Sequence, residues 1–267
     1  PAGYDPARPA PLVLAFHGGG GHAEFMADEA RYGLVGKAER AGFVVVFPNG
    51  YSRFPGGKLA AWNAGGCCGN ARDRGIDDVG FVRALVARVQ SQVSIDGARV
   101  FATGMSNGGM LAHRLACEAP DVFRAVAAVA GTDATSRCAP SRPASVLHIH
   151  ARNDTHVLFT GGAGEDAFRD ASKVMDFVSV PETVARWVKR NQCAPAPRRI
   201  LDRPGAYCEA YSGCAGGVSV QLCVTEGGGH SWAGAKTVRR GKEAASAALD
   251  ANDAIWDFFT RASRPGT

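Results

Sequence analysis

The sequence predicts an α/β fold, a mostly parallel sheet with helices on both faces. Three observations carry this. Short apolar runs suited to strands alternate along the chain with amphipathic segments suited to helices. The strand runs are apolar at consecutive positions, as in residues 12–16, 43–47 and 125–130, which is the pattern of strands covered on both sides. Glycine is abundant, 34 of 267 residues, as a sheet with many tight turns requires.

The elements follow in order. Residues 12–16 form a buried strand that runs into His17-Gly18-Gly19-Gly20-Gly21. Residues 30–40 suit a helix stopped by Gly42. Residues 43–47 are a second strand, closed by Pro48-Asn49-Gly50. A long glycine-rich loop with Trp62 and the Cys67-Cys68 pair comes next; loops of such length are functional or pinned down. Asp77 caps a helix reaching about residue 93, with Val79, Val82, Val86 and Val89 on one face. Residues 99–103 are a third strand, and residues 107–119 a helix ended by Pro120. Strands are expected at 125–130 and 145–150, and a helix at 181–191 with Pro181 in its first turn. Strands at 208–211 and 218–224 and an amphipathic helix at 249–261 complete the pattern. With no repeat and no low-complexity linker, one domain over residues 1–267 is the expectation.

Hydrophobic residues at 46% and charged residues at 21% are ordinary for a soluble globular chain. No apolar run approaches the ~20 residues of a membrane span. A net charge of +5, without a nucleic-acid-binding motif, argues against a nucleic-acid partner. The basic residues are unevenly placed: Lys236, Arg239, Arg240 and Lys242 form one cluster and Arg198, Arg199 and Arg203 another. One reading is a solvated surface; the other is a basic rim that attracts an anionic substrate.

Eight cysteines point to an oxidising compartment. They allow roughly a hundred connectivities. The expectation is that Cys208 and Cys223 clip one hairpin, that Cys193 and Cys214 tie a helix end to it, and that Cys67 and Cys68 bond elsewhere than to each other. Cys117 also suits a buried free thiol. The chain opens at Pro1 without Met, so it reads as processed or trimmed.

The motif that carries chemistry is Gly104-Met105-Ser106-Asn107-Gly108. It lies between a buried strand and a helix, the context of the nucleophile elbow of α/β-hydrolases. The sharp turn projects the Ser106 side chain, and the following helix turns its positive end toward the site. A serine hydroxyl is a weak nucleophile until a base takes its proton. Of seven histidines, His230 in Gly227-Gly228-Gly229-His230-Ser231-Trp232 is best placed, on a flexible loop after the last strand. His148 and His150 lie on a strand and suit a buried, hydrogen-bonded role; His113 suits a structural role, and His17 braces the glycine loop. Asp154, just past the strand that holds His150, is the expected third member, with Asp133 as its rival. Ser106, Asp154, His230 is the Ser–Asp–His chain order of α/β-hydrolases. The oxyanion hole is expected from the amides of Asn107 and Gly19. The glycine loop lacks the Gly-Lys-Ser/Thr ending of a phosphate loop. His148, His150, Asp154 and His156 could be read as a metal cluster, but their spacing matches no familiar metal motif. Neither a metal nor a cofactor is expected.

Several blocks together resemble the poly(3-hydroxybutyrate) depolymerase and feruloyl esterase family, the carbohydrate esterase family 1-like hydrolases. They are Pro11-Leu12-Val13-Leu14 leading to His17-Gly18-Gly19, Phe47-Pro48-Asn49-Gly50, Trp62-Asn63-Ala64-Gly65-Gly66-Cys67-Cys68-Gly69 and Asp77-Asp78-Val79-Gly80-Phe81. Residues 99–110 around Ser106 and Gly228-Gly229-His230-Ser231-Trp232 complete the set. The resemblance implies secretion, a Ser–His–Asp triad, and hydrolysis of esters in or on a polymer, either hydroxyalkanoate polyester or feruloylated polysaccharide. It places Trp62, Asn63 and Trp232 near the substrate cleft, and it implies that the family's first strands precede Pro1. Where relatives read His-Gly-Thr-x-Asp, this chain reads His150-Ala151-Arg152-Asn153-Asp154, and Ala233 replaces a Pro after Trp232. Arg152 and the basic cluster at Lys236 suit a carboxylate-bearing polymer. The alternative is therefore a depolymerase of an anionic polymer such as poly(aspartic acid), cleaving amides with the same triad. An inactive binding protein is a minor alternative.

Overall fold

The structure is a computed structural model and describes residues 1–167 and 176–263. Its sheet has eight strands among the described residues: β1 (Ala10–Phe16), β2 (Val44–Val46), β3 (Ile95–Met105), β4 (Ala125–Val129), β5 (Ser145–Ala151), β6 (Arg198–Arg203), β7 (Ala206–Tyr211) and β8 (Val220–Thr225). Their order is β2-β1-β3-β4-β5-β8-β7-β6. From β2 to β8 every pairing is parallel, and β7 and β6 add antiparallel strands at one edge. This is the predicted class of architecture.

Among the described residues the helices are α1 (Ala23–Met26), α2 (Leu34–Ala41), α3 (Gly69–Asp73), α4 (Asp78–Gln90), α5 (Asn107–Glu118), α6 (Val180–Arg190) and α7 (Ala251–Ala262). None is long and apolar enough to cross a membrane. One core lies between the sheet and α4, α5 and α6, with Leu12, Val82, Leu111 and Trp187 fully buried. The other lies under α2 and α7, where Phe101 stacks on Phe259 at 4.4 Å. Burial on both faces is why β1 and β4 read as unbroken apolar runs.

Local chemistry sets the helix boundaries. The Asp77 side chain accepts from Gly80 N at 2.8 Å and starts α4. Gly42 ends α2 in the left-handed region at φ 74°. That helix starts at Leu34 rather than near residue 30, because Gly33 before it is also left-handed, at φ 63°. Strand β6 was not expected. Its Arg-rich sequence lacks apolar alternation, and only pairing to β7, with Arg199 bonded to Glu209, makes it a strand.

The disulfides agree with expectation in two cases and correct it in two. Cys208–Cys223 and Cys193–Cys214 are paired as expected. Cys117 is bonded to Cys138 rather than free. Cys67 is bonded to Cys68, contrary to expectation: the other six cysteines are committed to one another, so the neighbours have no other partner.

Candidate active site

Strand β3 delivers Ser106 at its C-terminal end, directly before α5. Ser106 has φ 54° and ψ −121°, a conformation that costs a non-glycine residue about 1–3 kcal/mol and clusters at functional sites. The turn requires its glycines. A Cβ on Gly108 would overlap Phe16 O, and one on Gly104 would stand 2.5 Å from Gly108 C. Side chains here would push α5 off β1.

The loop after β5 supplies Asp154, buried at 2% exposure. Its Oδ1 accepts from the amides of His156 at 2.7 Å and Val157 at 3.0 Å. Its Oδ2 lies 2.8 Å from His230 Nδ1 and 3.3 Å from His150 Nε2. Burial alone would raise the carboxyl, but the charge of His230 and the hydrogen bonds from His150 and His230 outweigh it and hold Asp154 below the usual carboxylate range. The rival Asp133 is engaged elsewhere, 2.7 Å from Arg190 Nη1 and bonded to Thr135.

His230 is carried by the loop after β8. Gly228 and Gly229 take φ of 107° and 54°, so the chain can turn the imidazole toward β5. The loop is held by Gly229 N donating to Asn153 Oδ1 and Gly228 N donating to Glu243 Oε1. The His156 ring stacks on His230 at 4.6 Å and 17°. This contact was not foreseen, because His156 was read only as part of a metal pattern. Burial and the neighbouring His230 lower its pKa to about 4, so it is neutral near pH 7.

Ser106 and His230 line one cleft, together with Gly19, Asn107 and Trp232. The first helical amide, Asn107 N, has no intrahelical acceptor, and Gly19 N has no internal partner among the described residues. The Asn107 side chain has another task. Its Oδ1 accepts from Trp62 N at 2.7 Å and its Nδ2 donates to Trp62 O at 2.9 Å. His17 braces the glycine loop as expected: its Nδ1 lies 2.8 Å from Gly18 O and its Nε2 accepts from Gly50 N at 3.0 Å. Burial lowers its pKa to about 4.

Four residues expected to touch substrate are not among those lining the cleft. Trp62 is fully buried, and its indole donates to His17 O. Asn63 is tied to Ile76 O and Gly65 N. Arg152 turns away to Glu226 and Tyr207 and lies over Phe159 at 5.0 Å. Lys236 is exposed and joins Ala30 O through its backbone. Among the described residues, the charged side chains that line the cleft are Arg31 and Arg239. Arg31 lies over the Phe25 ring at 4.7 Å. Arg239 belongs to the basic cluster noted in the sequence, but spacing alone does not say which member turns inward.

A serine elbow at the end of β3 and an Asp–His pair from the loops after β5 and β8, with His230 in the same cleft as Ser106, are the arrangement of an α/β-hydrolase of the serine-hydrolase class. The chain belongs to the esterase PHB depolymerase family, whose profile matches residues 2–168. It is 31% identical over 86% of its length to feruloyl esterase B of Piromyces equi, of which it spans 41%. It is 28% identical over 98% of its length to feruloyl esterase C of Emericella nidulans, of which it spans 82%. The chain thus spans less than half of the first of these relatives. Among solved structures, acetyl xylan esterase from Aspergillus awamori superposes with a TM-score of 0.62 at 16% identity, covering 94% of this chain and 89% of that one. A carboxylesterase of Bacillus cereus superposes with 0.55 at 14% identity, covering 97% and 91%. At such identities these two likenesses concern the fold.

Proposed function

We propose that this chain is a secreted serine esterase that cleaves ester bonds in or on a polymer, through an acyl-enzyme on Ser106. One observation carries the reading: Asp154 Oδ2 lies 2.8 Å from His230 Nδ1, and His230 shares a cleft with the strained Ser106. In this reading His230 accepts the Ser106 proton and Ser106 Oγ attacks the ester carbonyl. The amides of Asn107 and Gly19 donate to the oxyanion, Asp154 stabilises the imidazolium, and His230 protonates the departing alcohol. Water, activated by His230, then frees the acid.

The substrate class draws support from the relatives named feruloyl esterases and from the family. Feruloylated polysaccharide and hydroxyalkanoate polyester are the two candidates. Four disulfides favour an oxidising, extracellular or periplasmic setting.

A second reading has its own observation. Arg31 and Arg239 line the cleft, and among the described residues no Asp or Glu does. That favours an anionic substrate, with amide cleavage in poly(aspartic acid) as its polymeric form. Initial rates on methyl ferulate, hydroxybutyrate oligomers and poly(aspartic acid) decide between the readings. Turnover of the neutral esters, abolished in Ser106→Ala, supports the first. Turnover of poly(aspartic acid) alone, falling steeply with salt, replaces it with the second.

A further inference from the structure

Besides His17, three buried histidines take no part in the steps above: His113 on α5, and His148 and His150 on β5. They join in one unbroken hydrogen-bonded chain. Trp187 Nε1 lies 2.9 Å from His113 Nδ1. His113 Nε2 lies 3.3 Å from His148 Nδ1, and His148 Nε2 lies 3.0 Å from His150 Nδ1. His150 Nε2 lies 2.8 Å from Val157 O and 3.3 Å from Asp154 Oδ2. Successive imidazoles are within 24° and 17° of parallel.

Both ends fix the direction of this chain. An indole N–H only donates, so His113 Nδ1 accepts. A neutral imidazole has one donor and one acceptor, so His113 Nε2 carries the proton and His148 Nδ1 accepts it. The same step places the next proton on His148 Nε2 and makes His150 Nδ1 an acceptor. From the far end, a carbonyl and a carboxylate only accept, so His150 Nε2 must carry a proton. The two ends demand the same tautomer at every ring. Reversing one ring would set two N–H groups, or two lone pairs, face to face in the core, where an unsatisfied polar group is costly. Burial keeps His113 neutral, with its pKa lowered to about 4, and holds His148 well below the ordinary value.

We infer that the chain Trp187–His113–His148–His150 is a positioning device for Asp154: it fixes the His150 N–H between Val157 O, its nearer acceptor, and the carboxylate oxygen that receives His230. The inference rests on Asp154 serving His230 as proposed above. His150 does not line the cleft, so it acts through Asp154 and not on substrate. The carboxylate oxygen that meets His230 is also met by His150, a donor whose orientation is set across β5 and α5 by an indole on α6. Outer partners that orient metal ligands contribute about ten- to a hundredfold, and the same order is expected for one that orients a carboxylate serving His230.

The direct test is a nitrogen-15 spectrum of histidine-labelled whole protein near pH 7.5. The Nε2–H tautomer is expected at His113, His148 and His150; an Nδ1–H tautomer or an imidazolium at any of them overturns the chain. Kinetics on an ester substrate test its use. His150→Phe keeps ring bulk and removes the donor; kcat is expected to fall at least about tenfold with KM within about twofold. His150→Gln, which retains an N–H, should recover most of the loss. Equal losses in both variants, or none in His150→Phe, overturn the positioning role. The native spectrum decides the matter if a variant does not fold. Failure of the esterase reading itself would show as ester turnover that survives Ser106→Ala, a separate result.

Discussion

Asp154 is the residue on which the site converges. It accepts two backbone amides on Oδ1 and meets two imidazoles on Oδ2. Asp154→Asn keeps the shape but puts an NH2 group where an acceptor is needed, so either His230 takes the wrong tautomer or a contact is lost. We expect kcat to fall about a thousandfold or more, with circular dichroism unchanged; a loss under tenfold would remove Asp154 from the mechanism. Asn107 is the corresponding structural residue. Asn107→Ala would leave the Trp62 amide unpaired in the core and strip one of two donors from its carbonyl, which keeps Cys68 N, at a cost of about 1–3 kcal/mol in urea unfolding. A change below ~0.5 kcal/mol would mean that the clasp contributes little. Ser106, Asp154 and His230 were legible in the sequence because backbone elements position them: a strand end, a post-strand loop and a glycine loop. Arg152 and Lys236 were misplaced because side-chain direction depends on distant partners. Glu226, 74 residues away, draws Arg152 out of the cleft, and only the fold turns Arg239 into it.

At the scale of elements, the β3–α5 junction and the β7–β8 hairpin carry the site. Helix α5 starts beneath Ser106 only because Gly108 lets it approach Phe16 O. Gly108→Ala overpacks that contact and should destabilise by about 1–3 kcal/mol, with a larger fractional loss of activity than of fold. Full activity at unchanged melting temperature would contradict the tight-approach argument. Cys208 and Cys223 face each other across the paired strands β7 and β8. Replacing both with Ala should cost about 2–4 kcal/mol, read by thermal unfolding without reductant. The sequence foretold this pair because it brackets a turn between two apolar runs. It did not foretell β6, whose strand character resides in its partner β7 and not in its own Arg-rich pattern.

The whole molecule stores its acid sensitivity in buried histidines. His17, His113 and His156 have pKa values lowered to about 4 by burial, and His148 lies well below its ordinary value. A group with a depressed folded pKa contributes stability that is present above its unfolded value, here 6.5, and is lost as pH falls toward the folded value. Asp78 works in the opposite direction. Burial raises it to about 6, so its contribution is present at low pH and is lost as pH rises through 6. Four histidines outweigh one carboxyl. His113 alone, going from 6.5 to about 4, accounts for roughly 2 kcal/mol between pH 7.5 and pH 5. Denaturant unfolding at the two pH values should therefore show the protein less stable at pH 5 by at least about that amount. Equal or greater stability at pH 5 would refute it. The parallel, doubly covered sheet was legible from runs of consecutive apolar residues. The histidine chain was not, because its members come from α5 and β5 and meet only when α5 docks on the sheet.

The central claim is that Ser106 is the group that becomes acylated, and mass spectrometry of protein treated with a fluorophosphonate probe tests it most directly. The account predicts one adduct, on the peptide carrying Ser106, absent in Ser106→Ala and strongly slowed in His230→Ala. An adduct on another residue, or none on the folded protein, would contradict it.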